Sequence, residues 1–325
     1  MRIVVAIYEP AFWTIPEREV RYLAARLPDD VIVHVTSREA EAAAVPDADV
    51  LFATRLRRDD FQRASHLRWV HSSAVGVGGI LSPDFVASAV PLSNARGLHA
   101  EPIAEHAMAL MLALRRSLHV AVARQIARAW AQEEIYARHV APLDASTLLV
   151  VGLGAIGSRV ADWGRRLGIT VLAVRKHHDA PAPAGIADVF PPDRLHDGLA
   201  RADVVVLAAP HTSETTHMID CAALASMKTG SLLINVARGK LVDHAALAAS
   251  LGSGHLGGAG LDAFDHEPLA ADDPLWCLPN VLITPHTAAF GADYWRPAVD
   301  LFIENMRRLR AGAPLINLVD KTRGY

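Results

Sequence analysis

The sequence predicts an α/β protein built from two doubly wound parallel sheets. The first observation is the length of 325 residues, 51% of them apolar, because a chain of this size exceeds one core and fits two domains. The second is the alternation of short β-branched runs with helical patterns. The third is that this alternating series starts twice, at the first residues and again at Thr147, which predicts two sheets.

The first series predicts five strands separated by helices. The strands are expected at IVVAIY, VIVHV, VLFAT, LRWVHSS and PLSNA. Between the first two lies PEREVRYLAARL, in which apolar residues recur with helical spacing. Strands that alternate with helices in this way favour a parallel sheet with helices on both faces.

A helix predicted at EPIAEHAMALMLALRRSL separates the two series. It has an acid and a proline in its first turn and is apolar almost all round as far as Arg115, which is typical of a buried helix. We expect it to lie between two domains, with a boundary near His99. The second domain is therefore predicted to span residues 99–287.

The second series predicts six strands and then a helix that returns to the first domain. The strands are expected at TLLVVGLG, ITVLAV, ADVVVLAAP, SLLINVA, GAGLDAF and NVLITPH. After His286, YWRPAVDLFIENMRRLRAG predicts a helix with a basic last turn. We expect this helix to pack on the first domain, which then comprises residues 1–98 and 288–325. For the polar insertion at residues 123–146, a dimerisation arm and a solvated loop with a helix are both open.

Composition and charge narrow the function. A net charge of -3, from 32 basic and 35 acidic residues, gives no field to attract nucleic acid or an anionic membrane, so a small ligand or a protein partner is expected. Cys221 and Cys277 predict buried thiols rather than disulfides, and the scattered histidines predict no metal site. The start MRIVVAIYEP lacks a signal-peptide pattern and no later run is long enough to span a membrane, so we expect a cytoplasmic protein.

A glycine turn follows the first strand of the second series. Gly152, Gly154 and Gly157 form G-x-G-x-x-G between a strand and a helix. In this context the first glycine makes the turn, the second admits a pyrophosphate, and the third lets the helix approach the strand. The phosphates would meet the N–H groups of the helix N-terminus, at Ala155 and Ile156. The turn therefore predicts a dinucleotide-binding site.

The next strand ends in VLAVRK, at the place where such sites usually put an acid for the ribose hydroxyls. Arg175 and Lys176 stand there instead. Because two cations attract a 2′-phosphate that an acid would repel, the sequence predicts a preference for NADP(H), with NAD(H) also possible. The alternatives are that both side chains face water, or that Asp179 or Asp188 reaches the ribose hydroxyls.

Three chemically active residues follow later strands of the same predicted sheet. They are Arg238, Glu267 and His286, and the shared carboxyl edge of a parallel sheet would bring them near the glycine turn. A guanidinium can grip a carboxylate with two parallel hydrogen bonds. An imidazole beside a carboxylate is a general acid suited to neutral pH. The alternatives are a surface ion pair for Arg238 and a structural role for His286.

Together these motifs resemble the D-isomer-specific 2-hydroxyacid dehydrogenase family, which includes glyoxylate/hydroxypyruvate reductases and other 2-oxoacid reductases. The resemblance covers nearly the whole chain, through LRWVHSSAVGVGG, NVARGKLVDHAAL, LDAFDHEPL, DDPLWCLPNVLITPH and the closing helix. It implies a flavodoxin-like substrate domain made of both chain ends, a Rossmann domain between them, a cleft that holds the active site, and usually a homodimer. The implied oxidoreductase transfers a hydride between a nicotinamide cofactor and a small D-2-hydroxy acid or 2-oxoacid.

The resemblance also implies roles for single residues. Arg238 would bind the 2-oxoacid, His286 would donate or accept the proton, and Glu267 would pair with His286. The backbone amides of Val75 and Gly76 would bind the substrate carboxylate, in a loop that reads GVGG where many members have an acid soon after the glycine. The residues implied for the cofactor pocket are Asp262, on the nicotinamide carboxamide, with Ala209, Pro210, Thr215 and Val236. Residues with either a pocket-closing or a packing role are Tyr294 and Trp295.

Two other functions share these features. One is a phosphoglycerate dehydrogenase-type NAD enzyme, although the chain leaves no room after the closing helix for the regulatory domain that many of them carry. The other is a non-enzymatic nucleotide-sensing scaffold, similar to the C-terminal-binding-protein corepressors, which keep a similar triad. Formate dehydrogenases are less favoured, because they typically have Gln where Glu267 stands.

Overall fold

A computed structural model describes residues 1–9, 13–138, 142–177, 181–291 and 293–324. The chain forms two compact units, of which the first comprises Met1–Leu98 and Gly291–Tyr325 and the second His99–Phe290. The second unit ends at Phe290, three residues after the boundary expected at residue 287. No helix in the described ranges is long and apolar enough to cross a membrane.

Each unit is built on a parallel sheet. In the first unit the strand order is β2-β1-β3-β4-β5, and in the second it is β12-β11-β10-β9-β6-β7-β8. The first is the flavodoxin-like order and the second is the Rossmann order with an added edge strand, so the predicted fold class is confirmed. The strands are β1 (Arg2–Ala6), β2 (Val31–His34), β3 (Val50–Ala53), β4 (Trp69–His71), β5 (Leu92–Ser93), β6 (Thr147–Val151), β7 (Thr170–Val174), β8 (Asp188–Phe190), β9 (Val204–Leu207), β10 (Leu232–Asn235), β11 (Gly258–Leu261) and β12 (Val281–Ile283).

Helices connect these strands. They are α1 (Glu17–Arg26), α2 (Arg38–Ala44), α3 (Arg58–Arg63), α4 (Pro83–Ala87), α5 (Ala100–Arg115), α6 (Leu118–Ile126), α7 (Gln132–Tyr136), α8 (Ala155–Arg166), α9 (Leu195–Leu199), α10 (Cys221–Ser226), α11 (His244–Gly252) and α12 (Trp295–Arg310). The helix expected between two domains, α5, belongs to the second unit, where it packs on α8, β10 and β11. Cys221 and Cys277 are exposed thiols, so the expectation that they are buried is wrong.

The core of the second unit shows why its strands are mostly apolar on both faces. Leu148 and Val150 of β6 join a cluster with α5 and α8, whereas Leu149 and Val151 join a cluster with α10 and α11. Because successive side chains of a strand point to opposite faces, a sheet covered on both sides needs a continuous apolar run. The strands of this sheet therefore lie parallel between two helix layers.

In the first unit, α12 closes the core against α1 and the sheet. Phe302 of α12 is fully buried, and its ring stacks on Phe52 of β3 at 4.5 Å and on Trp69 of β4 at 5.0 Å. Burial of large aromatic side chains supplies much of the stability of such a contact. The C-terminal helix is thus an integral layer of this unit.

Candidate active site

The candidate site lies at one edge of the seven-stranded sheet. The turns that follow β6, β9, β10, β11 and β12 all leave the sheet at its carboxyl edge, because the strands are parallel. The strand order reverses at β6, which has β7 on one side and β9 on the other. Ligands of such folds bind in the crevice outside the carboxyl ends, at this reversal.

The glycine turn fits a dinucleotide. A Cβ atom on Gly157 would lie 1.8 Å from the carbonyl oxygen of Gly152, so only glycine lets α8 approach the turn this closely. In contrast, a Cβ atom on Gly154 would meet nothing within 4 Å. Gly154 and Ala155 are exposed, which leaves the first N–H groups of α8 open to a ligand. This open helix end is the feature that a pyrophosphate requires.

The turn after β9 borders the glycine turn. The amide nitrogen of Ala209 would lie only 2.7 Å from a Cβ atom on Gly152. The hydroxyl of Thr215 donates to the carbonyl of Pro210 at 2.8 Å, which fixes this turn. Val236, also expected in the pocket, is buried just past the end of β10. The residues expected for the cofactor pocket thus follow neighbouring strand ends.

Arg175 and Lys176 stand at the end of β7. Arg175 is half-buried and its Nη2 donates to the carbonyl of Pro181 at 3.0 Å. The Lys176 ammonium lies 2.5 Å from a carboxylate oxygen of Glu214, which belongs to the turn after β9. The predicted basic pair therefore has an acid beside it that the local sequence does not indicate.

The acids considered as alternatives to this basic pair have different positions. Asp188 lies at the start of β8, opposite Leu172, and forms an ion pair with Arg201 at 2.8 Å. Asp188 therefore pairs with a residue two positions before the end of β7 at Val174, whereas Arg175 follows that end. Asp179 lies outside the described residues.

Arg238 follows β10 on a turn shaped by Asn235. The buried Asn235 amide accepts from the Ala237 N–H at 3.0 Å and donates to the Arg238 carbonyl at 2.9 Å. A Cβ atom on Gly239 would lie 1.8 Å from the Phe264 backbone, so this turn touches the turn after β11. Burial lowers the pKa of Arg238, and the negative charge of Glu267 opposes that effect.

Glu267 and His286 form a hydrogen-bonded pair. Nδ1 of His286 lies 2.7 Å from one oxygen of Glu267, and the other oxygen accepts from the Phe264 N–H at 2.9 Å. Burial alone would raise the pKa of Glu267, but these hydrogen bonds and the charge of Arg238 lower it. The carboxylate is thus ionised beside the imidazole, and it interacts electrostatically with Arg238 as well.

Asp262 is buried and binds residues on both sides of His286. One of its oxygens accepts from the Thr284 hydroxyl at 2.6 Å and from the Thr287 N–H at 2.9 Å. The other accepts from the Ala288 N–H at 3.0 Å. A carboxylate has about four acceptor sites, so the three hydrogen bonds leave one open.

The two residues expected on the substrate carboxylate lie in the first unit. Val75 is half-buried and its carbonyl accepts from the Asn94 side chain at 2.8 Å, whereas Gly76 is exposed. In this unit the Tyr294 hydroxyl donates to the Ser73 carbonyl at 3.1 Å, and burial raises the pKa of Tyr294. Trp295 packs edge-on against Tyr294 at 5.0 Å.

Several residues at this edge were not predicted from the sequence. Asn235 and Thr284 carry no motif, since their roles are seen only in the hydrogen bonds that they make. His211 follows β9, and burial with the charges of Lys240 and Arg238 lowers its pKa. Its position just after a predicted strand was the one signal that could have singled it out.

The chain matches the family model for the D-isomer specific 2-hydroxyacid dehydrogenase NAD-binding domain over residues 108–288, more than half of its length. The protein belongs to the D-isomer specific 2-hydroxyacid dehydrogenase family. Members of this family are NAD(P)-dependent oxidoreductases that act on hydroxy acids, and this dehydrogenase therefore transfers a hydride between a nicotinamide cofactor and a 2-hydroxy acid or 2-oxoacid.

Relatives of this dehydrogenase act on different acids. It is 36% identical to the (S)-sulfolactate dehydrogenase of Chromohalobacter salexigens, over 78% of this chain and 81% of that protein. It is 33% identical to the glycerate dehydrogenase of Methylorubrum extorquens, over 80% and 81% of the two chains. Its fold matches a family member from Xanthobacter autotrophicus, solved with NADPH and MES, with a TM-score of 0.85 and 28% identity over 100% and 99% of the chains.

The close approach at Gly157 gives a prediction about stability. Gly157→Ala should lower the free energy of unfolding of the ligand-free protein by about 1–3 kcal/mol or more, because the new methyl group forces α8 away from the turn. Gly154→Ala is the matched control and should cost at most about 1 kcal/mol, the scale of a cap change. Urea denaturation measures both, and equal losses would contradict the packing role of Gly157.

Proposed function

We propose that this protein is a 2-oxoacid reductase in which His286 exchanges the proton, Glu267 orients it, and Arg238 binds the substrate. The 2.7 Å contact between His286 and the ionised Glu267 carries the proposal. The acid proposed as substrate is small, of the glyoxylate or hydroxypyruvate class. We assign the binding of the substrate carboxylate to the backbone amides of Val75 and Gly76.

The proton transfer follows from the hydrogen bonds of His286. An ionised carboxylate only accepts, so Nδ1 of His286 carries a hydrogen and Nε2 is the atom that exchanges a proton with substrate. The bound nicotinamide supplies or takes up the hydride at C2. As negative charge develops on the C2 oxygen, His286 protonates it and the guanidinium of Arg238 stabilises it. Because Arg238 is partly buried, its charge is screened less than it would be in bulk water.

The proposed cofactor preference is for NADP(H), with NAD(H) as a weaker alternative. Arg175 and Lys176 supply two cations where an acid would repel a 2′-phosphate. Glu214, beside Lys176, removes part of that positive charge. Both members of this ion pair are exposed, and exposed pairs contribute about 0–1 kcal/mol, so a phosphate can compete for Lys176. The protein should therefore prefer NADP(H) and still accept NAD(H).

In this proposal the backbone of Gly154, Ala155 and Ile156 holds the phosphates of the dinucleotide cofactor. Asp262 holds its nicotinamide carboxamide. A nucleotide-sensing scaffold would share these contacts, and so would a phosphoglycerate dehydrogenase-type enzyme. A panel of 2-oxoacids and phosphohydroxypyruvate with NADH and NADPH separates them. Cofactor binding without turnover on any of these acids would favour the scaffold.

We also propose a homodimer in the cytoplasm. Leu118, Val122 and Ile126 recur every four residues on one face of α6, and their side chains are 51%, 55% and 81% exposed. Trp130 and Tyr136, which follow, are 91% and 81% exposed. An apolar surface of this kind is typical of a protein interface, and the family resemblance favours a second copy as its partner. The free thiols of the chain suit a reducing compartment.

His286→Ala should lower kcat by about 10²- to 10⁴-fold while the cofactor still binds. Glu267→Gln should also lower kcat, because the carboxylate that orients the imidazole is lost. With Glu267 present, its lowered pKa keeps it ionised at mildly acid pH, so reduction should persist there. Steady-state rates across pH measure this, and wild-type turnover in His286→Ala would refute the assignment.

The cofactor prediction is a kcat/KM for NADPH about tenfold to hundredfold above that for NADH, the range that one charge-assisted contact of about 1.5–3 kcal/mol supplies. Arg175→Asp should abolish or invert the preference. Arg194→Asp changes an exposed arginine of the same unit and should leave it as in the wild type. An unchanged ratio in Arg175→Asp, or a wild-type preference for NADH, contradicts the proposal.

Replacing Ile126 and Trp130 together by Glu should convert the dimer into a monomer, because two charges would have to be buried at the interface. Val31→Glu introduces a charge at another exposed apolar residue, 58% exposed in the first unit, and should leave the dimer intact. Sedimentation velocity distinguishes the species. A monomeric wild type, or an unaffected double variant, would show that α6 is not the interface.

A further inference from the structure

The segment that carries His286 is connected through Thr284 to a second histidine. Nε2 of His106, on α5, lies 2.9 Å from the Thr284 hydroxyl and 3.6 Å from the nearer oxygen of Asp262. The Thr284 hydroxyl is in turn 2.6 Å from that same oxygen. The side chains of His106, Thr284 and Asp262 thus form one chain of polar contacts beside the segment that carries His286.

The direction of these hydrogen bonds follows from the number of hydrogens available. Asp262 is an acceptor, so the single hydrogen of the Thr284 hydroxyl is donated to it. Thr284 can then only accept from His106, which therefore carries its hydrogen on Nε2. The chain runs from His106 to Thr284 to Asp262, and each donor has an acceptor.

The packing of α5 on β11 explains why His106 reaches this point. Leu114 lies against Gly258, and Leu110 lies against Gly260, where a Cβ atom would be 2.9 Å from that of Leu110. Four residues of helix advance about 6 Å and two residues of strand about 6.6 Å, so the two periods match. One more step in each places His106 against Asp262. The glycines let the helix lie close enough for this contact.

The residue that this chain of contacts supports is strained. His286 has a backbone φ of 56°, in the left-handed region that side chains other than glycine rarely occupy. Asp262 binds the Thr284 side chain before it and the backbone N–H groups of Thr287 and Ala288 after it. A conformation of this kind persists only where its surroundings impose it.

We propose that His106 is a positioning residue for proton transfer, which holds His286 in place through Thr284 and Asp262. This inference rests on the proposed role of His286. His106 touches neither His286 nor the substrate, so its effect is expected on kcat, whereas the KM for the 2-oxoacid depends on Arg238.

Two matched pairs of variants test the proposal with the best 2-oxoacid of the panel and saturating cofactor. His106→Phe and Thr284→Val remove the hydrogen-bonding group, and each should lower kcat roughly tenfold, because a small misplacement of a catalytic group is costly. The KM for the oxoacid should stay within about twofold. His106→Gln keeps an N–H donor and Thr284→Ser keeps the hydroxyl, so both should recover most of kcat.

The double variant His106→Phe/Thr284→Val decides whether the two residues act together. If His106 acts through Thr284, the double variant should be no slower than Thr284→Val alone, whereas independent packing effects would multiply. Multiplied losses, or conservative variants as slow as the disruptive ones, would overturn the proposal. Should Thr284→Val fail to fold, the His106→Phe and His106→Gln pair decides by itself.

The His286→Ala background separates this inference from the proposed function. There, His106→Phe should cause no further loss of rate, because nothing remains to be positioned. If His286→Ala itself keeps wild-type turnover, the proposed function fails. If His286→Ala is inactive while His106→Phe and Thr284→Val keep full kcat, only the positioning role fails.

Discussion

The site depends on one constraint, which is that the seven strands of the second unit lie parallel between two helix layers. Apolar side chains on both faces of β6 and its neighbours exclude a sheet with one face in water. Parallel strands must be joined by crossovers, so every strand leaves the sheet at the same edge. Residues far apart in the chain, such as Gly154, Arg238 and His286, are brought to that edge because each follows a strand of this one parallel sheet. The chemistry is therefore positioned by the burial of strands that take no part in it.

This constraint explains how much could be predicted from the sequence. Continuous apolar strands predict parallel sheets, and a parallel sheet predicts which turns share an edge. β8 was not predicted, because it has three residues, begins with an aspartate and follows the PAPAG run at residues 181–185. Periodicity needs a longer run than this to be recognised.

Contacts between turns could not be predicted, because they depend on tertiary distances. Lys176 and Glu214 are 38 residues apart, and nothing near either residue indicates an ion pair. The same holds for Asn235, whose side chain shapes the turn before Arg238, and for the contact between His106 and Thr284. Sequence patterns identify residues with recognisable chemistry, whereas the residues that orient them are ordinary polar side chains placed by the fold.

With the roles proposed for Asp262 and His286, the position of Asp262 links cofactor binding to proton transfer. Its carboxylate is almost fully buried, a costly state that three hydrogen bonds from the His286 segment offset. The acceptor site that these bonds leave open is the one assigned to the nicotinamide carboxamide. A group that binds there shares its aspartate with the Thr284 side chain and with the backbone that follows His286, so cofactor binding and proton transfer would act on one segment. Buried acceptors are costly when they are unsatisfied. A hydrogen bond to the fourth acceptor site of Asp262 should therefore restrict the movement of the carboxylate that holds the His286 segment. Cofactor binding would then order the proton donor at the point where the hydride is delivered.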